Sequence, residues 1–92
     1  MRIVGPMLAA EIDLARGAKI VSLRDVSNTE WLAQADKGRT VPVGASFVEA
    51  EMSGWDECAP TIVECLVGRS SVPDHGDLWN AQFEAGALPG ST

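Results

Sequence analysis

The sequence has no apolar run approaching eighteen residues, so no segment is suited to cross a membrane as a helix. It also has no cluster of positive charge. Seven Lys and Arg are scattered among thirteen Asp and Glu, leaving a net charge of −6. Nucleic-acid phosphates and anionic membrane surfaces repel such a chain, which excludes both as expected partners. The opening residues 1–7 lack a sustained apolar stretch and a small-residue cleavage site, so the expected compartment is the cytoplasm. Cysteine is scarce, and Cys58 and Cys65 read as free thiols there. Their spacing to the single histidine, His75, fits no compact zinc pattern, so no metal is expected. A Gly-rich phosphate loop, a Gly-x-Ser-x-Gly elbow and a Cys–His catalytic set are all missing. Repeats and low-complexity tracts are missing too.

What remains is strand patterning. Leu8, Ala10, Ile12 and Leu14 alternate with Ala9, Glu11 and Asp13, which predicts a strand with one apolar face. Arg16-Gly17-Ala18 is a turn, and residues 19–25 are its hairpin partner. Residues 26–29 are turn chemistry, and a short strand begins at Glu30-Trp31-Leu32. Residues 34–45 read as a long connection, and further strands are expected at 47–52, 61–67 and 77–84. Loops at 53–60 and 68–76 separate them, bracketed by Gly and Pro, and residues 85–92 form a Gly/Pro/Ser-rich tail. No long helix is predicted. The expected class is mainly β and antiparallel. A chain of 92 residues with open sheet edges is marginal alone, so it is expected to need more polypeptide, a partner or a ligand. By itself it is expected to unfold at low temperature or self-associate through those edges.

Two of these loops concentrate reactive side chains. Residues 54–61 carry Trp55, Asp56, Glu57 and Cys58; residues 73–79 carry Asp74, His75, Asp77 and Trp79. An indole can stack on the C–H face of a sugar while carboxylates and an imidazole engage its hydroxyls. Trp55, Asp56, Glu57, His75 and Trp79 are therefore candidate carbohydrate-binding residues. Taken singly, each has a plainer reading: Trp31, Trp55 and Trp79 as core, His75 as a solvated loop residue, and Asp56 and Glu57 as turn caps. Taken one residue at a time, these plainer readings win.

Gly54-Trp55-Asp56-Glu57-Cys58-Ala59-Pro60-Thr61, followed by Pro73-Asp74-His75-Gly76-Asp77-Leu78-Trp79, resembles the paired motifs of the aldose 1-epimerase (galactose mutarotase-like) family. The Gly17-Ala18-Lys19-Ile20 turn and Glu30-Trp31-Leu32 resemble that family's first strands, so the likeness spans most of residues 8–84. It implies an antiparallel β-sandwich of the supersandwich type, of which residues 1–92 are the incomplete amino-terminal part. It also implies an aldose sugar as partner and no metal or organic cofactor. The family's reaction is an isomerisation: a carboxylate base takes the anomeric hydroxyl proton while an imidazolium protonates the ring oxygen, and the opened sugar recloses as the other anomer. His75 matches a family histidine that helps hold the sugar and is the one candidate catalytic residue. A second histidine and the family's late glutamate have no match, which implies a chain inactive by itself. The alternative is a small, non-enzymatic β-rich module for sugar binding or interaction.

Overall fold

The hairpin expected over residues 8–25 is the framework of the molecule. The structure, a computed structural model, describes residues 1–36, 45–50 and 52–87. Strand β1 (Arg2–Val4) pairs antiparallel with β2 (Leu8–Asp13), which pairs antiparallel with β3 (Lys19–Asp25). A second sheet is a hairpin of β4 (Cys65–Val67) and β5 (Ser70–Val72). Among the described residues there is no α-helix, and the chain is mainly β with two antiparallel sheets. No helix among the described residues is long and apolar enough to cross a membrane. Substantial strand contacts occur within each sheet rather than between the two.

The β2–β3 turn forms where predicted. Gly17 and Ala18 both take positive φ, 69° and 54°, which suits Gly and strains Ala. Between Glu11 and Ile12 the register slips: Glu11 faces Ser22, yet Ile12 faces Ile20. Val21 is thus the extra residue of a β-bulge, and the bulge resets the alternation of β3. As a result Lys19 and Ser22 are both buried, although strict alternation would put them on opposite faces.

Several expected elements differ. Residues 47–52, predicted as a strand, begin instead with a 3-10 turn at Phe47–Glu49. Ser46-x-x-Glu49 is a capping-box pattern, and the Ser46 N–H donates to Glu49 Oε2 at 3.0 Å. Residues 77–84 were expected to be a strand and form a 3-10 turn at Leu78–Asn80. Their donors are taken elsewhere: the N–H groups of Asp77 and Leu78 both reach the Ala59 carbonyl, at 3.1 and 3.3 Å. Of residues 61–67 only the last three are a strand, and the loop expected at 68–76 contains β5. Gly68 has φ 63°, the conformation that lets a two-residue turn join Val67 to its partner Ser70. The third strand at 30–32 is reduced to one bridge between Arg24 and Glu30. The expected connection at 34–45 and tail at 85–92 lie partly outside the described residues, as does position 51.

Little apolar surface is buried. Ala50 and Trp79 are the buried apolar side chains among the described residues. Gly17 donates to Ala81 O at 2.6 Å and Phe83 N–H donates to Leu14 O at 2.8 Å, so the segment carrying Trp79 lies against the first hairpin's turn. The accessible surface is 6975 Å² for 9.7 kDa, against about 5,100 Å² for a compact protein of that mass. The radius of gyration, 15.4 Å, likewise exceeds the roughly 12 Å of a compact chain of this length. The molecule is a slab 47 by 41 by 19 Å.

Candidate functional site

The loop carrying Trp55 is laid along β3. Trp55 N–H donates to Ile20 O at 2.9 Å, and Trp55 O accepts the Ile20 N–H at 3.0 Å. Gly54, at φ 64°, makes the approach possible, since a Cβ there would press on Ile20 O. Asp56 follows, and its carboxylate meets the Lys19 ammonium at 3.1 Å with both side chains largely buried. These contacts fix the backbone of the loop and leave Trp55 54% exposed. Glu57 is exposed.

The second loop is joined to the first through Ala59, whose peptide with Pro60 is cis. Besides the two bonds to the Ala59 carbonyl, the His75 N–H donates to Ile62 O at 3.0 Å. His75 has φ 62° and Gly76 φ 71°, two successive left-handed residues that turn the chain sharply there. The His75 ring stacks on Phe47, centroids 4.0 Å apart and 11° from parallel. His75 Nδ1 lies 2.7 Å from Asp74 Oδ2. With Nδ1 engaged by that carboxylate, Nε2 is the other ring nitrogen.

Trp79 is buried, its indole N–H donates to Gly76 O at 3.1 Å, and its ring meets Phe47 edge-on with centroids 5.5 Å apart. Its ring forms a wall rather than an open platform. Trp31 is exposed and donates to Asp25 Oδ2 at 3.1 Å, outside the site. The structure thus gathers Trp55, Asp56, His75 and Trp79 around Phe47. Burial, together with the carboxylates of Asp56, Glu57 and Asp74, pushes the Cys58 thiol up.

Two open clefts flank Phe47. One, of 350 Å³, is bounded by Phe47, Met52, Ser53, Trp55, Asp56 and Cys58. The other, of 380 Å³, lies between Phe47 and the second loop, lined by Asp74, Asp77, Trp79 and Asn80 among others. Aromatic walls with a polar rim suit a small polyhydroxylated ligand. No group of three His, Cys, Asp or Glu that could hold a metal ion occurs among the described residues. Sequence reasoning missed Phe47 and Lys19. The Ser46-x-x-Glu49 pattern could have located the first, whereas nothing local marks the second.

Comparison with protein-family models, with curated proteins and with solved structures finds no match to this chain.

Proposed function

We propose that this chain binds a carbohydrate, in the manner expected of the amino-terminal part of an aldose 1-epimerase-like β-sandwich. The observation that carries the reading is the convergence of the two motif loops on Phe47. It sets an exposed indole and a fixed carboxylate along one cleft, and stacks an imidazole on the Phe47 ring that lines both clefts. The indole takes the apolar face of a pyranose, and Asp56 and His75 take its hydroxyls. Anomer exchange calls for an acid and a base acting together. His75 can supply one proton-transfer group, while Asp56 is neutralised by Lys19, so the chain alone binds sugar without catalysing exchange. The large exposed apolar surface supports completion of the sandwich by further β-structure over the sheet faces.

Ligand-observed NMR with aldoses tests the binding. Saturation transfer to the sugar, lost in Trp55→Ala and reduced at least fivefold in affinity in His75→Ala, is the expected result. Unchanged transfer in both variants overturns the site. Polarimetry on a freshly dissolved sugar is expected to show no acceleration, and clear acceleration would refute the inactive reading.

A second reading, an interaction module, is favoured by one observation. Ile62, Val63, Leu66 and Val67 are all more than half exposed on and beside the β4–β5 hairpin. Association through this hairpin would appear as a mass that rises with concentration in sedimentation equilibrium.

A further inference from the structure

Among the described residues, Phe47 is the one that lines both clefts. One face of its ring is covered by His75, and Trp79 stands at right angles to it. The ring is therefore held from two sides and forms a fixed partition between two compartments. Their sizes are close, 350 and 380 Å³, and each lies near the lower end of the roughly 300–1,000 Å³ usual for small-ligand sites. Their chemistry is also alike. The first sets Trp55 and Phe47 against Ser53 and Asp56; the second sets Trp79 and Phe47 against Asp74, Asp77 and Asn80.

The same combination of aromatic wall and hydroxyl-binding rim is thus built twice, side by side. Among the described residues neither lining contains a Lys or Arg, and the Lys19 ammonium is bonded to Asp56 of the first lining. Asp74 and Asp77, both exposed, give the second compartment a negative rim. A phosphate group there would meet like charge, with no Lys or Arg among the described lining residues to offset it. We propose, building on the carbohydrate reading, that the two clefts are adjoining subsites for one neutral saccharide of at least two residues, joined across Phe47. A free hexose fills one subsite and leaves the other to water. A sugar phosphate is rejected at the second.

Isothermal titration and saturation-transfer NMR on the 92-residue chain test this. The probes are glucose, galactose, maltose, cellobiose, lactose and glucose 6-phosphate. At least one disaccharide is expected to bind ten times more tightly than either of its component monosaccharides, with saturation reaching both rings. Glucose 6-phosphate is expected to bind more weakly than glucose. Asn80→Ala, at an exposed position, is expected to reduce the affinity for that disaccharide about fivefold, with an unchanged circular dichroism spectrum. Disaccharides that bind no better than monosaccharides, or that show saturation of one ring only, overturn the paired subsites and leave the carbohydrate reading standing. Tighter binding of the phosphate overturns the neutral preference. If no sugar in the panel binds, the carbohydrate reading falls and the paired subsites fall with it.

Discussion

The Lys19 ammonium and the Asp56 carboxylate meet at 3.1 Å, with side chains only 5% and 15% exposed, although they lie thirty-seven positions apart in the chain. An ion pair so placed has little water to screen it, and removing one partner leaves the other charge buried. Lys19→Met is therefore expected to lose about 3 kcal/mol of stability, a large share of the total for a chain with so small a core. The double variant Lys19→Met, Asp56→Leu is expected to regain most of that loss, because neither charge is then stranded. Urea denaturation of the four species of this cycle gives the answer. A single variant within about 0.5 kcal/mol of the wild type, the scale of an ordinary surface change, would show that the pair does not hold the Trp55 loop.

Gly76 and Gly68 form a natural contrast. Both have positive φ, 71° and 63°. A Cβ on Gly76 would collide with the Ala59 carbonyl, whereas one on Gly68 would meet nothing within 4 Å. Gly68→Ala is expected to cost about 1 kcal/mol, the price of the backbone conformation alone. Gly76→Ala adds the displacement of a carbonyl that receives the Asp77 and Leu78 N–H groups, and is expected to cost at least 1 kcal/mol more. Equal melting temperatures for the two variants would contradict the close approach of the motif loops.

Glu30 sets an acid limit on the first hairpin. Its carboxylate accepts from the Ser22 hydroxyl, from the N–H groups of Leu23 and Leu32 at 2.9 and 3.1 Å, and from Arg24 Nε at 3.2 Å. These bonds, that from Ser22 foremost, lower its pKa from 4.5 to about 2. A carboxyl whose folded pKa is depressed contributes stability above its unfolded value and loses it as pH falls toward the folded one. The advantage of the wild type over Glu30→Gln is thus expected to be complete above pH 4.5 and to shrink steadily down to about pH 2. Thermal melts of the two proteins across that range measure it. A gap that does not change with pH would mean the network is absent in solution. Asp13, held low chiefly by Arg16, adds a loss in the same direction in both proteins.

The β2–β3 hairpin was legible because its alternation and its Gly17-Ala18 turn are local signals, and its register needs only neighbouring residues. The two motif loops were legible as dense clusters of Trp, acid and His. Their meeting was not. It depends on the Ala59 carbonyl capturing donors from Asp77 and Leu78, a long-range pairing that no local pattern encodes. The same pairing turned residues 78–80 away from the strand that their alternation suggested. Phe47 was hidden for a related reason. Its neighbours Val48 and Glu49 read as strand, yet a single cap from Glu49 tipped the segment into a 3-10 turn. The bulge at Val21, which buries Lys19 beneath the Trp55 loop, leaves no mark in composition at all.

The middle strand of the first sheet has a consequence for how the chain breathes. Ala9, Ala10 and Glu11 each face partners on both sides, Val4, Ile3 and Arg2 on one and Arg24, Leu23 and Ser22 on the other. Deuterium should therefore enter the backbone last at these three positions, and early at the two-stranded hairpin of residues 65–72. Such a gradient means that the first sheet can remain intact while the second opens. The His75 loop, tied to Ile62 and Ala59 rather than to that sheet, would come and go with the less protected half of the molecule.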